Sequence, residues 1–160
     1  MPEGSALSFS ELAQDLELVI EGIGFPEPIN IDISASKSGD EVILAGRINT
    51  TVEMECARCL EQFEMDVDPK IQFVIQLLDS NQPQYSEDDD FVILPKTTGE
   101  YDISDRVREA IILDLPLKPL CSDKCRGLCP MCGINLNEAE CDCTPDKTDE
   151  RWDLLKQLFD

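Results

Sequence analysis

The sequence predicts an α+β protein with an antiparallel β-meander core, a cysteine-rich module near the C-terminus and a terminal amphipathic helix. Period-two alternation of apolar residues recurs in successive segments between residues 29 and 77. Six of the eight cysteines lie between Cys121 and Cys143, and apolar residues at helical spacing follow at 152–159. With 160 residues and 42% hydrophobic content, the chain can bury one core. The expected division is a sheet domain over 1–115, with a helix at about 104–114, and a cysteine module with the terminal helix packed on it over 116–160.

Residues 10–20, "SELAQDLELVI", fit a short helix capped by Ser8 or Ser10, or a strand through "LELVI". Ile29, Ile31 and Ile33 then alternate with Asn30, Asp32 and Ser34, the pattern of a strand with one buried face. "SKSGDE" supplies a turn, and "EVILAGRINTTVEME" at 41–55 returns as a long strand, bent near Gly46 or broken at Asn49. Alternation resumes at Phe63, Met65 and Val67, and again at Ile71, Phe73, Ile75 and Leu77. Short turns between such strands imply a meander.

"DSNQPQYSEDDD" at 79–90 reads as an exposed loop, and "FVILP" as a further strand. Ser104 is the expected N-cap of a helix whose Val107, Ala110 and Ile111 share one face, with Pro116 ending it. Trp152, Leu154, Leu155, Leu158 and Phe159 form the terminal amphipathic helix, with Thr148 and Asp149 as capping candidates.

The formal net charge is −21, from 34 acidic and 13 basic residues. Such a field repels phosphate backbones and anionic lipid, so nucleic-acid contact has to be local or pass through a basic protein. The N-terminus has no leader pattern and no stretch approaches a membrane span, so a cytoplasmic location, with reduced thiols, is expected. The chain contains no histidine. Ser-His-Asp and Cys-His catalysis are therefore excluded, and a zinc site must be all-cysteine or use a carboxylate in place of the usual imidazole.

The cysteines fall into four pairs: Cys56 with Cys59, Cys121 with Cys125, Cys129 with Cys132, and Cys141 with Cys143. A C-x2-C turn converges two thiolates on one ion at about 2.3 Å. In "CPMCG", Pro130 stiffens the turn and Gly133 can take positive φ after the second thiolate. Cys129, Cys132, Cys141 and Cys143 are the expected ligands of one zinc. Cys56 and Cys59, at the tip of a hairpin, and Cys121 with Cys125 are left for a second, although Cys125 and Cys129 can exchange roles on spacing alone. Iron in the same ligands, a redox "CARC" pair and a disulfide framework are the competing readings. Two four-thiolate zinc sites would bring the charge to about −25. Against this, residues 116–136 carry +2, from Lys118, Lys124 and Arg126 against Asp123, and Arg58 joins them if the second site forms. These four are the candidate nucleic-acid contacts.

"CARCLEQFE", then "ILDLPLKPLC" and "CRGLCPMCGINLNEAECDC", then a terminal amphipathic helix, together resemble the YceD family of bacterial and plastid large ribosomal RNA subunit accumulation proteins. The resemblance runs from about Ile29 to the end of the chain. It implies a cytoplasmic factor for 23S ribosomal RNA accumulation and large-subunit biogenesis, with no assigned catalysis and with all eight cysteines as motif residues. The expectation is a non-enzymatic protein holding one or two zinc ions, acting on large-subunit ribosomal RNA or a basic large-subunit ribosomal protein, with no membrane or small-molecule substrate. The alternative is a cysteine-ligated iron electron carrier. A ribonuclease has no histidine to use and no recognisable carboxylate cluster.

Overall fold

A computed structural model describes residues 4–79, 84–85 and 90–144. Eight strands and one helix follow in order: β1 (Gly4–Glu11), β2 (Ile23–Gly24), β3 (Ile29–Ser38), β4 (Glu41–Glu55), β5 (Gln62–Val67), β6 (Lys70–Leu78), β7 (Gln84–Tyr85), β8 (Phe91–Pro95) and α1 (Ser104–Asp114). The main sheet runs β1-β3-β4-β6-β8-β7, while β2 and β5 pair with β4 off this path.

The sheet is mostly antiparallel but is not a simple meander, because β8 pairs with β6 in parallel, from Val74 opposite Phe91 to Leu78 opposite Pro95. Side-chain alternation looks the same in either direction, so the sequence pattern cannot separate the two. The 79–90 segment, expected to be only a loop, contains the short β7, which pairs with β8. Residues 12–17 form turns where a helix or strand was expected, and Ser8 and Ser10 lie within β1. There Leu7 and Phe9 alternate with serines whose hydroxyls reach Asp32 and Asn30 on β3.

β4 is unbroken, and it changes partners partway. Glu41 to Asn49 pair with β3 or β6, and Thr50 to Glu55 pair with β5. Its even-numbered residues face inward throughout: Ile48 and Val52 are fully buried, Met54 nearly so, and Cys56 continues the same face just past the strand end. Three apolar clusters follow one another along this strand. The largest packs Ile29, Ile31, Ile33, Ile48 and Phe73 beneath Val107 and Ile111 of α1. The next gathers Val52, Met54 and Val67 with Phe63, and the last gathers Cys56, Cys59 and Cys125, again against Phe63.

Ser104 is not the cap of α1 but its first residue. The N-cap is Ile103, which makes no side-chain cap bond, and the carboxylate of Asp102 just before it accepts the Ser104 amide at 2.8 Å. The chain leaves the helix at Leu115 in extended conformation, as Pro116 requires of the residue before it. The expected terminal helix around Trp152 lies outside the described residues. No helix among the described residues is long and apolar enough to cross a membrane.

Candidate metal centres

The hairpin between β4 and β5 ends in a tight turn carrying Cys56 and Cys59. Its backbone is closed by Leu60 N–H to Cys56 O at 2.9 Å and Cys56 N–H to Glu61 O at 2.9 Å. Sequence-distant backbone meets this tip: the Ala57 amide donates to Pro119 O at 2.8 Å and the Leu128 amide to Arg58 O at 3.1 Å. These contacts bring Cys121 and Cys125 to the hairpin. Cys59 Sγ lies 3.6 Å from Cys121 Sγ, and Cys56 Sγ lies 3.8 Å from Cys125 Sγ. All eight cysteines are free of disulfides.

Close packing at the tip depends on Gly127. Its φ is +75°, and a Cβ there would stand 3.0 Å from Arg58 O, so a side chain would drive the two segments apart.

Cys129, Cys132, Cys141 and Cys143 form a second group. Its first turn repeats the hairpin geometry, with Gly133 N–H to Cys129 O at 2.8 Å and Cys129 N–H to Ile134 O at 2.8 Å. Gly133 has φ +72°, the left-handed value expected after the second cysteine. Within each quartet the four Sγ atoms all lie within 4.8 Å of one another. A tetrahedron with metal–sulfur bonds of about 2.3 Å has edges of about 3.8 Å, which the first quartet's two measured sulfur pairs match. The donor set is that of a tetrahedral zinc or iron–thiolate centre, and either quartet could hold a metal.

The thiol electrostatics suit a cation. Burial opposes ionisation of Cys56, but backbone groups of Cys121, Cys59 and Arg58 outweigh it and bring the thiol down to about 6. The Cys59 thiol, then burial, push Cys121 up to about 12. In the second quartet, backbone groups of Cys132 and Met131 draw Cys129 down to about 6, while the Cys132 thiol and burial push Cys143 up to about 12. Four adjacent thiols cannot all ionise alone, and a dication at their centre removes that repulsion.

The quartets differ in exposure. Cys56, Cys59 and Cys125 are buried behind Phe63, Leu120 and Leu128, whereas in the second quartet Cys132 and Cys143 are exposed and only Cys129 is buried.

Two asparagines that the spacing of cysteines did not single out organise the link between the groups. Asn137 donates through Nδ2 to Cys125 Sγ at 3.3 Å and accepts the Arg126 amide on Oδ1 at 2.7 Å. Its own amide and side chain bond Asn135 Oδ1 at 3.0 and 2.9 Å. The Asn137 side chain is the main cause lowering Cys125. The sequence signal was the Asn-x-Asn of "GINLNEAE", between the cysteine pairs.

Of the four candidate cations, Arg58 is committed to structure: its guanidinium donates to Cys125 O at 2.9 Å. Lys118, Lys124 and Arg126 are exposed, and among the described residues none of them is in an ion pair. All four sit on the segments that meet at the first quartet.

The chain matches the family model described as large ribosomal RNA subunit accumulation protein YceD over residues 44–159. An uncharacterized protein of Mycobacterium leprae (strain TN) is 28% identical over 144 residues, covering 90% of this chain and 64% of its own length. Large ribosomal RNA subunit accumulation protein YCED homolog 1, chloroplastic, of Arabidopsis thaliana is 24% identical, covering 84% of this chain and 49% of its own. The Zea mays protein of the same name is 25% identical, covering 74% and 49%. The chain thus spans about half to two-thirds of the length of these relatives. No solved structure matches it. The matched span contains both cysteine quartets, α1 and most of β4, and the chain belongs to the YceD family.

Proposed function

We propose that this chain is a non-enzymatic, cytoplasmic factor that supports 23S ribosomal RNA accumulation and large-subunit biogenesis by binding, with zinc in both cysteine quartets as a structural element. The family match over 44–159 carries the reading, since the family is that of the large ribosomal RNA subunit accumulation protein YceD. The chemistry of the chain supports a binding role. Without histidine the usual imidazole bases are lacking, and each quartet supplies four protein ligands, so a tetrahedral ion keeps no open position for substrate.

The charge of −21 favours a basic ribosomal protein as the direct partner. Lys118, Lys124 and Arg126, exposed beside the first quartet, are the place where RNA would make its local contact. Co-sedimentation of the protein with precursor large subunits at low and moderate salt tests the role; absence from those particles at every salt concentration rejects it. Metal analysis of anaerobically purified protein tests the centres: two zincs per chain support both quartets, and coloured, redox-active iron transfers the reading to an electron carrier.

A further inference from the structure

We propose that the outer edge of β1, which no described strand pairs, is a docking site for an extended, basic segment of a protein partner, which adds to the sheet as one more strand. Among the described residues β1 ends the sheet, pairing with β3 alone, and all eight of its residues are exposed. Its register runs without interruption from Gly4 opposite Ser36 to Glu11 opposite Ile29, so no bulge twists the edge away. "GSALSFSE" contains no proline, lysine or arginine. These are the features that protect an edge, and a long edge lacking them offers its backbone N–H and C=O groups to another extended chain.

The side chains beside this edge define what the added strand carries. Leu7 and Phe9 stand opposite Ile33 and Ile31 on the core face of the sheet, yet are 52% and 42% exposed. Beside Phe9 lies a groove of about 250 Å³ whose walls include Leu16, Ile31 and Val107, with Glu11, Asp15 and Asp102 also lining it. Apolar walls with carboxylates suit a lysine or arginine, whose methylene stem packs while its cation meets acid.

The wider charge points the same way. Residues 1–36 hold seven acidic residues and no lysine or arginine. A second copy of the chain brings another −21, and the chain's own residues 145–160 carry −2, so neither complements this face. Phosphate backbones are repelled by it, and an edge of peptide groups recognises another peptide backbone. The inference gives the basic partner proposed above a place on the sheet, and rests on that reading only for the partner's being ribosomal.

Hydrogen–deuterium exchange of the full, metal-loaded chain tests it, with a twelve-residue peptide alternating lysine and valine as probe. Amides of residues 4–11 should slow by about tenfold or more at saturating peptide. The double variant Glu11→Lys/Asp15→Lys should bind about tenfold more weakly with its thermal midpoint unchanged. Phe9→Ser, which removes part of the apolar wall, should weaken binding without reversing charge. Unchanged exchange at 4–11, or equal slowing by a glutamate–valine peptide, overturns the proposal. Slowing by oligouridine in place of the basic peptide gives the face to RNA and overturns it too. A chain that passes these tests but stays off precursor subunits keeps the edge site and loses the ribosomal role.

Discussion

Leu60 and Gly133 stand at the same place in two turns of one shape. Each follows the second cysteine of a C-x2-C pair, each has left-handed φ, 61° and 72°, and each donates its amide to the carbonyl of the first cysteine. For a leucine this conformation brings Cβ against backbone and costs about 1 kcal/mol, while a glycine adopts it freely. The hairpin quartet is therefore held in a turn that its own sequence opposes.

Leu60→Gly should stabilise the metal-loaded protein by up to about 1 kcal/mol. Leu60 is 56% exposed, so little packing is lost with its side chain. Gly133→Ala should destabilise by a similar amount through backbone alone, because no atom lies within 4 Å of the added Cβ. Urea unfolding of both variants at fixed zinc measures the difference, and equal signs for the two would contradict the shared geometry.

Asn137 should matter to metal affinity although it is not a cysteine. Asn137→Ala removes the donor to Cys125 Sγ and the acceptor for the Arg126 amide. Loss of such an outer contact lowers affinity by about 10- to 100-fold. Asn137→Asp retains the acceptor but sets a carboxylate beside a thiolate, so it should not rescue. Competition against a chromogenic chelator gives the constants.

In the reduced, metal-free chain the thiols should titrate in separate classes. Cys56 and Cys129, lowered from 9.0 to about 6, favour the thiolate when folded. Their contribution to stability is present above about pH 9 and is lost as pH falls through about 6. Cys121 and Cys143, raised to about 12, favour the neutral thiol, and their contribution is present below about pH 9 and lost as pH rises toward 12. Thiolate absorbance near neutral pH should therefore be well above that of the urea-unfolded chain. Equal absorbance in the two states would contradict the assigned environments.

Thr50 interrupts the buried face of β4 between Ile48 and Val52. It is 7% exposed, and its Oγ1 has no hydrogen-bond partner among the described residues. Thr50→Val keeps the shape and removes the stranded hydroxyl, so it should raise stability by about 1 kcal/mol in thermal or urea unfolding.

β4 was legible as a long strand over 41–55, but its continuity past Asn49 was not, because polar Thr50 interrupts the buried face that Ile48, Val52 and Met54 mark. The turn at Gly133 was legible for a local reason: only a glycine adopts that φ without strain. The parallel pairing of β8 was not, since Val92 and Leu94 alternate alike against either direction of neighbour. β1 was missed because only two apolar residues, Leu7 and Phe9 with Ser8 between them, mark its face. Spacing left Cys125 and Cys129 interchangeable. What separates them is tertiary: the Cys125 thiol meets Cys56 and Asn137, while the Cys129 backbone closes its own turn on Ile134 and Gly133.

The unequal burial of the two quartets predicts unequal release of metal. A chelator reaches Cys132 and Cys143 directly, whereas three of the four thiols of the hairpin quartet are buried behind Phe63, Leu120 and Leu128. Opening the hairpin quartet also requires breaking the backbone bonds from Ala57 to Pro119 and from Leu128 to Arg58. Zinc transfer to a strong chelator should therefore show two phases of equal amplitude. Cys132→Ser should abolish the fast phase, and Cys59→Ser the slow one. Cys59→Ser should also make 116–128 more open to protease, because the hairpin then holds that segment without a complete ligand set, by the two backbone bonds, the Arg58 guanidinium on Cys125 O and apolar packing. A single phase in the parent protein, or loss of the fast phase on Cys59→Ser, would reverse the assignment of the buried quartet as the tighter centre.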